Sequence, residues 1–172
     1  MEIFLLGNEL LHRKAEAVKH IGKEYIKIAE DLIQCLHKDK GIGLAGPQVG
    51  LMERIFAVHV EGDVPRIFIN PSIIETSQEI TKYEEGCLSI PGIYADVVRP
   101  QSVKVQAWNE KGKPFTLEAS GLVARVILHE YDHLEGVLYI DHLPEQKRKK
   151  LLEKMEKAIL RKNRRSRLDK EK

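Results

Sequence analysis

No stretch of the 172-residue sequence stays apolar for the ~18 residues needed to cross a bilayer. The first ten residues, M-E-I-F-L-L-G-N-E-L, carry an acid where a signal peptide carries a base, and their apolar run is short. Cysteine is scarce. Cys35 and Cys87 could close one disulfide at most, and a reducing compartment argues against even that. These absences point away from a membrane-spanning protein and a disulfide-stapled secreted domain, and a cytoplasmic location with no membrane partner is expected. Internal repeats and Pro- or Ser-rich linkers are also lacking, which favours one domain at this length. At 42% apolar and 31% charged, the composition is that of an ordinary globular protein.

The net charge of +2 hides an asymmetry. Residues 145–172 carry 13 Lys and Arg against 5 Asp and Glu, a net of +8. The remainder carries 15 against 21, a net of −6. An acidic body with a basic tail suits a polyanionic partner such as RNA, or simply a solvated helix end.

Between residues 24 and 37, Tyr25, Ile28, Ala29, Leu32, Ile33 and Leu36 trace one face of a helix. An N-terminal arm that covers the core is expected before it. Gly41 to Gly50, G-I-G-L-A-G-P-Q-V-G, is too rich in glycine for a helix. It also lacks the Lys-Ser/Thr pair of a phosphate loop. Gln48 is its one polar side chain, fit for a turn or for an amide donor aimed into a site. Strands are expected over 54–60 and 66–70, with a turn at Asn70-Pro71 and a second turn at Pro91-Gly92. Residues 103–108 and 114–119 read as a hairpin turning at Gly112, anchored by Trp108 and Phe115. Ser120 is a candidate N-cap for the next helix. After a short buried segment at 137–143, Pro144 opens a last helix whose apolar face is Leu151, Leu152, Met155, Ala158 and Ile159. Its last ten or so residues are expected to fray into a basic tail.

The informative stretch is H-E-Y-D-H, 129–133, inside an apolar helical run that includes Leu122, Val126, Ile127 and Leu134. Residues four apart share a helix face. His129 and His133 can therefore hold one metal ion, with Glu130 beside it as a proton carrier. Two histidines do not complete a catalytic site, which needs a third protein ligand and an open position. One protease pattern continues to a third histidine six residues on, where this chain has Tyr139. A second uses a downstream glutamate, and Glu153 and Glu156 fall in the basic terminal helix. The third candidate is Cys87, in E-E-G-C-L-S-I-P-G, since a thiolate with two imidazoles suits Zn²⁺ or Fe²⁺.

G-I-G-L-A-G-P-Q (41–48), E-G-C-L-S (85–89) and H-E-Y-D-H (129–133), in that order, resemble the three motifs of the peptide deformylases, and the likeness covers nearly the whole chain. The cysteine motif and helical C-terminus resemble the bacterial type. One position departs: Gly46 stands where the family's first motif usually has Ala, which is expected to alter packing rather than chemistry. The resemblance implies an α+β fold in a single catalytic domain, 1–172. Small antiparallel sheets would pack around a central metal-binding helix, with an N-terminal helix and a C-terminal helix. It implies hydrolysis of the N-formyl group of N-formylmethionyl nascent peptides. Cys87, His129 and His133 would hold one divalent metal ion, Fe²⁺ in the cell, and Zn²⁺, Ni²⁺ or Co²⁺ in a purified protein. Glu130 would carry the proton, and the Gln48 amide and the Leu88 N–H would stabilise the oxyanion. Ile42, Gly43 and Gly86 would contact the peptide backbone, and Leu122 and Val126 would line a methionine pocket. Glu85 and Arg125 are expected to pair. The basic C-terminal helix suits ribosomal RNA. Two rivals stand beside this reading: a His-Glu-x-x-His metallopeptidase, and a non-catalytic metal-containing RNA-binding protein.

Overall fold

A computed structural model describes residues 1–168 of the chain, with side chains described as far as Lys157. Its elements are α1 (Glu24–Lys38), β1 (Gly43–Ala45), β2 (Ile55–Val58), β3 (Arg66–Thr76), β4 (Ile80–Cys87), β5 (Ile90–Pro100), β6 (Ser102–Trp108), β7 (Pro114–Ser120), α2 (Gly121–Leu134) and α3 (Glu145–Leu168). Short 3-10 turns at Glu9–His12, Gly46–Val49 and Tyr139–His142 join them. A five-stranded sheet runs in the order β1-β2-β3-β6-β7, and β4-β5 form a separate ribbon. All strand pairs are antiparallel. The expected α+β fold, with small antiparallel sheets about a central helix, is the one observed.

Strand alternation explains how two helices use one sheet. Ile55, Ala57, Ile67 and Ile69 face α1, where Tyr25, Ala29, Leu32 and Leu36 cover them. Phe56, Val58 and Phe68 point the other way, toward Ala124, Val126, Ile127 and Leu134 of α2. Because β2 is covered on both faces, all four of its residues are buried. A third cluster joins Ile90, Ile93 and Val97 of β5 to Leu11, Leu138, Tyr139 and Ile140, with Leu151, Leu152 and Met155 of α3 against it.

Three expectations change in the structure, and a fourth holds in position only. Asn70-Pro71 is not a turn but a kink inside β3. Asn70 takes φ 48°, and the register with β6 shifts between Ile69 and Ser72. Its side chain accepts from the Val18 N–H and donates to the Val18 carbonyl, 2.8 Å each, tying the N-terminal arm to the sheet. Pro91-Gly92 likewise lies within β5, bulged out between the pairs Cys87–Ile90 and Gly86–Tyr94. Trp108 does not anchor the hairpin. Val103, Val105 and Ala107 occupy the inward phase of β6, so Trp108 faces out at 39% exposure, while Phe115 packs edge-on against Phe68. Ser120 stands at the N-cap of α2 but makes no side-chain capping bond. The helix of α3 continues to Leu168. The side chains of Ala158 and Ile159, and those of the basic tail expected to fray, lie outside the described residues.

Candidate metal centre

Cys87 ends β4, and the bulge after Gly86 turns it toward α2. His129 and His133, one helical turn apart, present their rings to it. The donor atoms of Cys87, His129 and His133 all lie within 4.8 Å of one another. Cys87 Sγ stands 3.3 Å from His133 Nε2. Metal–sulfur and metal–nitrogen bonds of about 2.3 and 2.0 Å at tetrahedral angles would put such donors roughly 3.3–3.6 Å apart. His133 is 1% exposed, and its Nδ1 has no hydrogen-bond partner among the described residues. A soft thiolate bordering a cleft and two buried imidazoles, held together, fit a divalent ion of the zinc or iron kind.

The glycine segment splits into β1 and the 3-10 turn carrying Gln48. The Gln48 Oε1 accepts from the Ala45 N–H at 2.8 Å, which fixes which end of the amide is which. Its Nε2 then faces the site, 3.4 Å from Cys87 Sγ and 3.1 Å from Ser89 Oγ. Gln48 is buried. The N-terminal arm braces both loops: the Phe4 N–H donates to the Gln48 carbonyl, and the Leu6 N–H to the Ser89 carbonyl. Leu88 opens the β4–β5 turn and lays its side chain over Gly41.

Glu130 is 3% exposed, and its Oε2 has no partner among the described residues. Burial pushes its carboxyl up to about 7. For His129, burial opposes the charge, but hydrogen bonds to Cys87 and Glu85 outweigh it and raise the ring to about 10. Burial holds His133 well below the usual histidine value.

Glu85 and Arg125 do pair, at 2.7 Å, and the pair belongs to a larger array. Arg99 meets both Glu85 oxygens, at 2.6 and 3.0 Å. It also reaches Asp132 at 2.8 Å. Glu85 Oε2 receives His129 Nδ1 at 2.9 Å, orienting the ring. Burial acts against charge on Glu85, yet the His129 and Arg99 hydrogen bonds hold its carboxyl far below the carboxylate range. Sequence reasoning missed Arg99, Asp132 and Ser89. Arg99 did leave a signal: it shares the inward phase of β5 with Val97, and a charge there needs partners.

A cleft of about 1000 Å³ opens on this cluster. Ile42, Gly43, Gln48, Gly86, Leu88, Leu122, Val126 and Glu130 all border it, so the structure brings together every residue singled out around the candidate metal ligands. β1 is the free edge of the five-stranded sheet on one side. Gly86 faces it from the ribbon, under the ring of Tyr94.

Three convergent Cys and His donors beside a buried carboxylate define the centre of a metal-dependent hydrolase. A family profile described as Polypeptide deformylase matches residues 1–149. A peptide deformylase of Borreliella burgdorferi is 46% identical over 153 residues, covering 88% of this chain and 93% of that one. One of Agrobacterium fabrum is 41% identical over 160 residues, covering 91% and 94%. Among solved structures, the Ehrlichia chaffeensis peptide deformylase superposes with a TM-score of 0.88 at 33% identity, covering 94% of this chain and 98% of that one. The Synechococcus elongatus enzyme, solved with actinonin, gives 0.85 at 38%, covering 90% and 85%. The chain belongs to the polypeptide deformylase family.

Proposed function

We propose roles for the residues of this site in the reaction that the family defines: removal of the N-formyl group from the N-terminal formylmethionine of nascent polypeptides, with release of formate. Cys87, His129 and His133 hold one divalent ion, Fe²⁺ in the cell. The observation that carries this is the approach of their three donors to within 4.8 Å in a buried corner of the cleft. When bound there, such an ion supplies Lewis acidity and lowers the pKa of water at the site. Glu130, with its carboxyl near neutrality, accepts a proton from the attacking water and passes it to the departing amine. The Gln48 Nε2 and the Leu88 N–H donate to the oxygen on which charge develops. Ile42 and Gly43 on the sheet edge, with Gly86 opposite, bind the peptide backbone as an added strand. Leu122 and Val126 of α2 give the methionine side chain an apolar wall.

The rivals are not favoured. Tyr139, where a protease would place its third histidine, is buried, with its hydroxyl donating to the Ile93 carbonyl at 2.9 Å. Glu153 and Glu156 are exposed on α3. A purely structural metal would leave the buried Glu130 carboxylate without a task. The deciding experiment is formate release from formyl-Met-Ala-Ser by the Fe²⁺- or Ni²⁺-loaded protein; no release would overturn the reading.

Among the described residues, no helix is long and apolar enough to cross a membrane. We place the enzyme in the cytoplasm and its basic C-terminal segment on ribosomal RNA, which a net of +8 over residues 145–172 supports. Deleting residues 161–172 should weaken ribosome co-sedimentation in a salt-dependent way and leave tripeptide turnover unchanged. Equal co-sedimentation would remove the ribosome from the account.

A further inference from the structure

The side-chain array behind His129 does not stop at Arg99. Asp132 Oδ2 accepts from Arg99 Nη1 at 2.8 Å, and the same oxygen lies 2.7 Å from His142 Nε2. His142 ends the 3-10 turn Tyr139–His142. Side-chain exposure climbs along the path, from 4–5% at Glu85 and Arg99 to 21% at Asp132 and 37% at His142. One continuous run of hydrogen bonds thus joins the ring of a proposed metal ligand to the surface: His129, Glu85, Arg99, Asp132, His142. The far end is fastened as well. Asp141 Oδ2 accepts from the Leu138 N–H at 2.8 Å, and Asp141 Oδ1 pairs with Arg148 of α3 at 2.9 Å.

The chemistry of the run explains why the outer link matters. Arg99 is shared between two carboxylates, and its position between them sets how firmly it holds Glu85. Its Nη1 bonds to the Asp132 oxygen that also meets His142. Asp132 accepts, so His142 Nε2 must donate. If that donor is removed, the Asp132 oxygen swings toward solvent or draws Arg99 outward. Either movement relaxes Glu85, the one group that orients His129 through Nδ1. Outer hydrogen bonds of this kind govern ring orientation and ligand basicity at metal centres.

We propose that His142 is a positioning residue for the metal centre, acting through Asp132, Arg99 and Glu85 on the His129 ring. The inference rests on the reading of Cys87, His129 and His133 as the metal ligands. It makes the turn that leads into α3 part of the apparatus that holds the metal, although His142 touches neither substrate nor ligand.

The test compares His142→Phe, which keeps a ring but no donor, with His142→Gln, which keeps an N–H donor. Both are measured as the Co²⁺-loaded full chain by visible absorption, metal release to a chelator, and kcat and KM on formyl-Met-Ala-Ser. Losing a group bonded directly to a metal-bound ring costs about 10- to 100-fold. With His142 further out along the run, His142→Phe is expected to speed metal release and lower kcat about three- to tenfold, with KM within twofold. The Co²⁺ bands should shift, and His142→Gln should restore the wild-type values. Should the Phe ring prevent folding, His142→Ala makes the same comparison. Wild-type spectra and release rates in the donor-less variant would overturn the proposal, even alongside a lowered Tm. So would identical behaviour of the donor-less and Gln variants. Failure of the underlying ligand assignment looks different: the wild-type chain itself would bind Co²⁺ without a thiolate charge-transfer band.

Discussion

Gly43 and Glu130 are packed so closely that a Cβ on Gly43 would overlap the Glu130 carboxylate, at 2.7 Å from its Cδ and from Val126 Cγ1. The sheet edge and the proposed proton carrier therefore share one wall. Gly43→Ala must push the carboxylate aside or drive β1 off α2. A misplacement of about 1 Å costs roughly 10²-fold in rate. The expected outcome is a folded protein whose kcat falls by about that factor. An Ala variant with wild-type kcat would show that Glu130 does not need the position it occupies.

Gly46 marks the chain's departure from the usual first motif, and packing accounts for it. A Cβ there would lie 2.5 Å from the Leu51 carbonyl oxygen and 3.0 Å from that of Glu53. Both obstacles are backbone, which cannot rotate away. The Gly46 carbonyl also accepts from the Leu51 N–H at 2.9 Å. Gly46→Ala, though it restores the common pattern, should destabilise this chain by about 1–3 kcal/mol. Denaturant unfolding of the two proteins checks this, and the chemistry of the remaining folded fraction should be unaltered.

Glu85 sits between two buried guanidinium groups and the His129 ring. Glu85→Ala leaves Arg99 and Arg125 buried with no carboxylate between them. Breaking a buried pair in this way costs about 3–5 kcal/mol. The variant should lose at least that in equilibrium unfolding and should bind metal poorly after refolding. Stability within about 1 kcal/mol of wild type, on the same scale, would mean that water replaces the carboxylate.

Glu135, at the C-terminal end of α2, clamps Lys14 of the N-terminal arm at 2.7 Å and Arg54 at 2.5 Å. Burial opposes its charge, but hydrogen bonds from Lys14 and Arg54 outweigh it and lower its folded pKa. A depressed carboxylate contributes stability that is present above the unfolded value, about 4.3, and is lost as pH falls through the folded one. The stability gap between wild type and Glu135→Gln should therefore hold steady from about pH 8 to about pH 5 and close below about pH 4. Chemical denaturation across that range measures it. A gap that widened in acid would contradict the assigned sign.

The helices are legible because each buries one face, and their 3.6-residue period survives in the sequence: the pattern predicts a helix over 24–37, and α1 runs over Glu24–Lys38. Residues 114–119 alternate after a glycine turn and mark β7 nearly to the residue. β5 is not legible, because Pro91 and Gly92 look like a turn when nothing shows that they bulge within a paired strand. The ligand set requires the resemblance. Cys87 and His129 lie 42 positions apart, and no local pattern says that β4 delivers its last residue to the face of α2. Arg99, Asp132 and His142 stay hidden for the same reason, since each has chemical meaning only through partners on other elements.

The strand β1, which reaches the cleft at Gly43, is three residues long. An extended chain advances about 3.3 Å per residue, so such an edge spans only ~10 Å. On the proposed mode of binding, main-chain pairing would end after two or three residues of the incoming chain, and the residues beyond them would have nothing to grip. An enzyme built this way reads a beginning and ignores the rest of the message. Such an enzyme would be indifferent to the later sequence of its substrate, and could act while most of that polypeptide is still unmade.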